Sequence, residues 1–405
     1  MMELTITELG HLGDGIADGP IYVAGALPGE KVTGELVGDR LQTPKIVTPS
    51  SDRVTPPCRH ARSCGGCLMQ HASDDVVAEW KRTTVEQALR SHGIEAKVTG
   101  PRTSLARSRR RAGFSARRTK KGAMAGFHAR GSDVLISVTD CKLVTPSLSG
   151  ALPMVETLAK AGASRKNELS VMVTDTQTGL DVFVGGGKPL DTKLQFGLAE
   201  IARSYDLARI TWSDEIAVQR RVPLVDFDGI SVPLPPGAFL QATLAGEEAL
   251  RRFVLDNLQG ATHVLDLFSG CGTFSLPLSQ QARVHAVEND ARMLNALDQG
   301  WRHGNGLRQV TTEQRDLFRN PVLPFELKRF DAVVLDPPRA GAAAQVKQLG
   351  ESHTNRIVYV SCNPATFARD ASQLVLSGYK MSPIQIVDQF RWSSHVELCA
   401  SFHRN

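Results

Sequence analysis

Apolar positions divide the chain into stretches of different character. Over the first fifty residues, short apolar runs alternate with Gly, Asp and Pro turns, as in G-I-A-D-G-P-I-Y-V-A-G-A-L-P-G-E-K-V. That pattern predicts a small all-β barrel ending near Pro49. Residues 76–92, V-V-A-E-W-K-R-T-T-V-E-Q-A-L-R-S-H, predict an amphipathic helix ended by Gly93. Residues 134–235 alternate strands and helices, with a hairpin turning at Gln177 to Gly179. From about Gly237 the chain alternates β and α segments, which implies a parallel sheet with helices on both faces. The organising unit is R-I-V-Y-V-S-C-N-P-A-T-F-A-R-D, Arg356 to Asp370. Ile357 to Val360 form a buried strand, and Asn363 and Pro364 supply an N-cap and a first helical residue. Cys362 therefore sits at the carboxyl edge of a strand, where open parallel sheets bind ligands. The adjoining helix N-terminus is expected to favour its thiolate.

Composition narrows the class. At 405 residues the chain can hold two or three domains. The start M-M-E-L-T-I-T-E-L-G has no basic or apolar leader, and no apolar run approaches the roughly 20 residues of a membrane span. A cytoplasmic location follows by default. Seven cysteines, an odd number, suggest metal or catalytic thiols rather than disulfides. The net charge of +5 is mild, so any nucleic-acid footprint must come from local clustering.

Two clusters stand out before the parallel half. Cys58, Cys64 and Cys67 have C-x5-C-x2-C spacing, and Gly65 and Gly66 permit a tight turn. Cys141 is the best-placed candidate for the fourth ligand; His60 and His71 could replace a cysteine, but a solvated surface role is expected for each. Spacing alone does not choose between tetrathiolate zinc and an iron–sulfur cluster. Arg107, Arg109, Arg110, Arg111, Arg117, Arg118, Lys120 and Lys121 surround Phe114, with T-K-K-G as a hairpin turn. A single-signed run with an aromatic predicts contact with an RNA backbone and a stacked base.

In the parallel half, Val264 to Phe268 reads as a strand, Gly270 to Gly272 as a turn, and Thr273 onward as a helix. The third glycine of a dinucleotide fingerprint is missing, so no pyrophosphate is implied. Glu288 ends the next strand, where a carboxylate suits a ribose hydroxyl pair, and Asp316 follows a third unit and could hold an adenine amino group. Asp336 ends a fourth strand in D-P-P-R. Glu397, two residues after His395, lies on a terminal strand that can return to the same edge. Cys399 shares its face and is read as packing.

Taken together, D-L-F-S-G-x-G, L-D-P-P-R-A-G, V-S-C-N-P-A-T-x-A-R-D and H-V-E resemble the RNA uracil-C5 (5-methyluridine) methyltransferase family over nearly the whole chain. G-x-G-I-A and A-L-P-G-E in the barrel resemble the TRAM domain, an OB-like RNA-binding module. The resemblance implies an α/β fold: a Rossmann-like class I methyltransferase domain over residues 236–405, an OB-like barrel over 1–50, and a central α+β iron–sulfur domain over 51–235. The helix near 76–92 would pack on the catalytic half. It further implies S-adenosylmethionine bound by Gln241, Phe268, Gly270, Gly272, Thr273, Glu288, Asp316 and Asp336, although Gln241 and Asp336 suit the uracil edge equally well. Cys362 would be the nucleophile and Glu397 the base, with a 4Fe–4S cluster on Cys58, Cys64, Cys67 and Cys141. The substrate would be ribosomal RNA ahead of transfer RNA, and nothing demands a partner subunit. Thr243 departs from the family's F-x-Q-x-N, and Thr273 stands where some members have Asn. Rival readings are a non-catalytic RNA-binding protein, a redox protein using the cluster, and methylation of another base atom.

Overall fold

The computed structural model describes residues 2–404. Strands Met2–Leu9, Gly15–Ala17, Ile21–Val23, Lys31–Val37 and Arg40–Thr48 close into a barrel. Alternation puts Leu4, Ile6, Val23, Val32 and Leu41 inside it.

A seven-stranded mixed sheet follows, with Leu169–Thr176 beside Arg111–Arg118 near its centre. Helices Leu152–Gly162 and Thr192–Ser204 cover it, and Phe114, Val171 and Leu158 lie in the core between them. The hairpin between Leu169–Thr176 and Gly179–Gly185 turns where the pattern predicts, and Thr119 N–H donates to Gly122 O at 2.9 Å across T-K-K-G.

The third layer is a large sheet. Its parallel strands run in the order Val310–Gln314, Arg283–Glu288, His263–Leu267, Ala332–Leu335, Arg356–Ser361. Glu397–His403 joins antiparallel to Arg356–Ser361, then Ile384–Asp388, then Val98–Thr103 at the edge. Strand order reverses between His263–Leu267 and Ala332–Leu335, and such a switch opens a ligand crevice at the carboxyl ends. Ile357, Val358, Tyr359 and Val360 are fully buried, each worth about 1.5–3 kcal/mol of apolar burial. Asn363 caps Pro364–Leu376 by accepting from Ala365 N–H at 3.1 Å.

The early helix, Asp74–Arg90, bridges two bodies. Val85 and Leu89 sit in the same core as Tyr359 and Phe367. Trp80, one turn earlier, packs with Leu27 and Met69 instead, and its Nε1–H donates to Gly10 O at 2.9 Å. No described helix is long and apolar enough to cross a membrane.

Candidate functional site

Topology gathers the expected residues at one rim. Cys362, Asp336, Glu288 and the glycine turn all follow or end parallel strands. Ser361 pairs with Leu398 in the antiparallel ladder, so the next step brings Cys362 level with Glu397. Glu397 is buried, and Cys362 is half-buried.

The electrostatics differ from the sequence expectation for Cys362. Its thiol is pushed up to about 11. Burial is the main cause, followed by the carboxyls of Glu397 and Asp336; the Arg339 guanidinium and the backbone pull the other way and lose. The helix N-terminus thus does not make a resting thiolate, because burial and, after it, two facing acids oppose the charge on the sulfur. The acids are perturbed as well. Burial, then Asp336, holds Glu397 well above the ordinary carboxyl range. Asp336 is raised by burial and by Asp266, against a hydrogen bond from Gln241. Two facing carboxyls in a buried site cannot both ionise cheaply, so protonation of one supports ionisation of the other.

Gln241, buried, donates from Nε2 to Asp336 Oδ2 at 3.2 Å. Thr243, the departure from the family pattern, caps helix Leu244–Asn257: its hydroxyl accepts from Gly246 N–H at 3.0 Å and bonds Ser104 Oγ at 2.7 Å. A buried hydroxyl so engaged serves structure.

The glycine turn is built for close approach. Phe268, Gly270 and Gly272 have φ of +62°, +55° and +100°. A non-glycine residue in that region costs of order 1–3 kcal/mol, strain that clusters at functional sites. A Cβ on Gly270 would meet nothing within 4 Å, whereas one on Gly272 would press Leu276 Cγ at 2.9 Å. Phe268 stacks obliquely on Phe318 with centroids 5.5 Å apart. Thr273 is half-buried beside the turn, and the regular helix starts only at Ser275. Two buried polar atoms near this turn, Asp266 Oδ1 and Ser269 Oγ, have no hydrogen-bond partner among the described residues. Buried polar atoms ordinarily have partners, so this cradle suits a polar ligand.

Glu288 ties the second strand end to the turn, accepting from Gly270 N–H at 3.2 Å and from Asn289 N–H at 2.7 Å. Asp316 accepts from Phe318 N–H at 3.0 Å and pairs with exposed Arg319 at 3.6 Å. Asp266, a charged position inside the apolar strand L-D-L, was the signal for a buried acid that motif reading passed over. It accepts from Ser275 Oγ at 2.5 Å, and burial raises it to about 7. Cys399 is packed in the core, and Cys271 is likewise buried.

Cys58, Cys64, Cys67 and Cys141 line one cavity of about 380 Å³, with Arg109, Phe390 and His395 also on its wall. Gly66 N–H donates to Cys64 Sγ at 3.4 Å. Burial, followed by the neighbouring thiols, pushes Cys67 up to about 12 despite a bond to Gln70. Among the described residues, no three His, Cys, Asp or Glu side chains stand in position to hold a metal ion. His71 is not solvated as expected: burial lowers it to about 4, and its buried Nε2 has no partner among the described residues. His60 lines the cavity, its Nδ1 3.9 Å from Cys58 Sγ.

The basic stretch also departs from its expectation. Phe114 is buried and stacks on Phe127 with centroids 5.0 Å apart, so it is not offered to a base. Alternation along the strand Arg111–Arg118 turns it inward. Acids distant in sequence neutralise three of the six arginines: Asp140 pairs with Arg107, Glu247 with buried Arg110, and Glu168 with Arg117. Arg118, Lys120 and Lys121 remain exposed at the hairpin.

Comparison with known proteins bears on this arrangement. Residues 302–405 match the family described as tRNA (Uracil-5-)-methyltransferase. The chain is 41% identical to an uncharacterized RNA methyltransferase of Rhizobium meliloti, over 99% of each. It is 32% identical to the 23S rRNA (uracil(1939)-C(5))-methyltransferase RlmD of Vibrio campbellii, over 99% of this chain and 95% of that one. In fold it is similar to the Pyrococcus abyssi tRNA (uracil-54, C5)-methyltransferase solved with S-adenosyl-L-homocysteine, with a TM-score of 0.75, 24% identity and 99% of both chains covered.

Proposed function

The chain belongs to the RNA (uracil-C5) methyltransferase family, and from that premise we propose that it methylates C5 of a uridine in RNA through a covalent adduct on Cys362. The observation that carries this reading is the meeting of Cys362, Glu397 and Asp336 at the sheet edge beside the glycine turn. S-adenosylmethionine, when bound, supplies an electrophilic methyl group that resting uracil attacks too weakly. Phe268, Gly270, Gly272, Thr273, Glu288 and Asp316 are the residues proposed to hold it, and the unpartnered Asp266 Oδ1 and Ser269 Oγ support a polar ligand there.

Cys362 gives its proton to water, and its thiolate sulfur adds to C6 of uracil. The C5–C6 electrons shift toward O4, giving an enolate that is nucleophilic at C5. After C5 gains the methyl group, Glu397 accepts the C5 proton, the ring double bond re-forms, and Cys362 departs as thiolate. A carboxyl raised by burial is a stronger base than a solvated one, which suits Glu397 to that step. Asp336 and Gln241 face the same space and complement the uracil edge or the cofactor.

The four cysteines on one cavity support the further proposal of a 4Fe–4S cluster on Cys58, Cys64, Cys67 and Cys141. Four cysteine thiolates are a ligand set that such a cluster takes, and all four line this cavity. Such a cluster would cross-link the loop 58–67 to the segment around Cys141. The barrel as a TRAM-like module, with Arg118, Lys120 and Lys121, is proposed to hold flanking RNA backbone. The base must leave its stack to reach Cys362, costing a few kcal/mol. Ribosomal RNA is proposed ahead of transfer RNA because the chain is 32% identical to the 23S enzyme and 24% identical to the transfer-RNA enzyme.

The test maps 5-methyluridine at nucleotide resolution in RNA from a deletion strain and from the same strain complemented with wild type or Cys362→Ala. One uridine should lose its methyl group on deletion and regain it only with wild type. Unchanged RNA, or a methyl group on another base atom, would overturn the reading.

A further inference from the structure

Three buried groups form a one-way relay toward Asp336. Gln389 follows the strand Ile384–Asp388 and is buried, as are Gln241 and Thr243. Thr243 N–H donates to Gln389 Oε1 at 3.3 Å. A backbone N–H only donates, so this contact fixes which end of the Gln389 amide faces Thr243. The other end, Nε2, donates to Gln241 Oε1 at 2.7 Å. Gln241 Oε1 is thereby engaged, and its Nε2 is left to donate to Asp336 Oδ2 at 3.2 Å. Two amides in series thus take their polarity from a main-chain donor at one end and a carboxyl acceptor at the other. Gly246 leaves room for this side chain: a Cβ there would lie 2.3 Å from Gln389 Cγ. The Gln241 main chain is anchored as well, its carbonyl accepting from Arg110 Nε at 3.1 Å.

We infer that Gln389 is a positioning residue that sets base specificity by locking the Gln241 amide with its NH₂ end toward the reacting base. This rests on the uracil-C5 reading above. Nε2 carries two hydrogens. Asp336 takes one, and the second has no acceptor among the described residues. Uracil presents O4 as an acceptor and N3–H as a donor, which the free Gln241 hydrogen and the Asp336 carboxyl complement. Addition of Cys362 at C6 moves negative charge onto O4, so the bond to O4 strengthens as the enolate forms. Cytosine presents an amino group in place of O4 and a bare N3, so donor meets donor. A glutamine free to turn over could accommodate either base; the lock removes the alternative, and discrimination comes from the repulsive pairing.

The test uses the full-length protein and a 23S rRNA transcript carrying uridine or cytidine at the position that the wild type methylates. Gln389→Met keeps the volume and removes both amide contacts. Should it fail to fold, Gln389→Glu serves instead, since a carboxylate offers Gln241 only acceptors. With folding checked by thermal unfolding, kcat on the uridine transcript should fall about 10²-fold. KM for S-adenosylmethionine should stay within about threefold, and the uridine-over-cytidine ratio of kcat/KM should narrow about tenfold or more. A folded variant with wild-type kcat and preference would overturn the lock, as would an equal loss on both transcripts with no change in their ratio. If the wild type itself methylates no uridine C5 in the transcript, the underlying reading falls and the lock falls with it. An active wild type beside indistinguishable variants sinks the lock alone.

Discussion

The molecule holds two sets of unusual thiols, and their neighbours differ. In the cavity lined by Cys58, Cys64, Cys67 and Cys141, burial and then the neighbouring thiols oppose ionisation of Cys64 and Cys67, and the guanidinium of Arg109 is on the wall. Around Cys362 the opposing groups are carboxyls, Glu397 and Asp336. Cations relieve the first kind of crowding, which is what a metal cluster supplies. Proton movement relieves the second, which is what a reaction supplies. On the proposed reading, the charge facing the sulfur would direct the same residue type to cofactor binding or to catalysis, while local sequence around each cysteine says little about that charge.

The sharpest way to break this contrast exchanges the phenotypes. Cys362→Ala should cost more than about 10⁴-fold in methyl transfer while leaving the melting temperature almost unchanged. Cys67→Ala should do the reverse: bound iron and visible absorbance are lost from anaerobically purified protein, and methyl transfer per folded molecule stays within about tenfold of wild type. Loss of turnover with bound iron retained in Cys67→Ala would place that thiol in the reaction.

A second intervention acts on the wall of the cysteine cavity, in the segment that leads to Glu397. Buried Lys81 donates to Asp388 Oδ1 at 2.6 Å and to Phe390 O at 3.1 Å, and Phe390 lines the cysteine cavity just ahead of Glu397. Lys81→Met leaves Asp388 buried and uncompensated, which should lower unfolding free energy by about 3–5 kcal/mol in denaturant titrations. A cost below 1 kcal/mol would mean that the pair does not hold the wall.

pH sharpens the contrast from the catalytic side. The thiolate is the reactive form, and the Cys362 thiol is pushed up to about 11. Glu397, also raised, would act as the proposed base only when deprotonated. Both signs agree, so kcat/KM should climb toward about tenfold per pH unit between roughly pH 7 and 9. A plateau starting at neutral pH would contradict the arrangement. The smallest effect is expected away from both thiol sites. Replacing Arg118, Lys120 and Lys121 by Ala should weaken binding of RNAs of different sequence alike. Each lost phosphate contact should lower the steepness of the log affinity–log salt plot by about 1.

Periodicity made much of the scaffold legible. The barrel, the helix at Asp74–Arg90, the hairpin at Gln177 and the strand–Cys362–helix unit follow from local pattern, because their side-chain alternation and caps are encoded within a few residues. What escaped depends on distant partners. Val98–Thr103 becomes an edge strand only because Ile384–Asp388 accepts it. Phe114 read as a stacking platform because its partner Phe127 lies on another strand. The arginines read as free because Glu247 pairs with Arg110 from 137 positions away. At the rim, motifs pointed to Cys362, Asp336 and Glu397, yet they did not give the thiol's raised proton affinity or the roles of Asp266 and Gln389. Both of those are buried polar side chains whose partners are set by the fold.

The covalent step is tested most directly with RNA in which uridine is replaced by 5-fluorouridine. Fluorine at C5 leaves no proton for Glu397 to remove after methyl transfer, so the ring cannot expel the sulfur. Incubation with S-adenosylmethionine should give a protein–RNA species stable to denaturing electrophoresis, with the methylated base attached to the peptide carrying Cys362 by mass spectrometry and no such species from Cys362→Ala. Attachment at another residue, or methylation of natural RNA by Cys362→Ala at the wild-type rate, would contradict a sulfur adduct at this edge of the sheet.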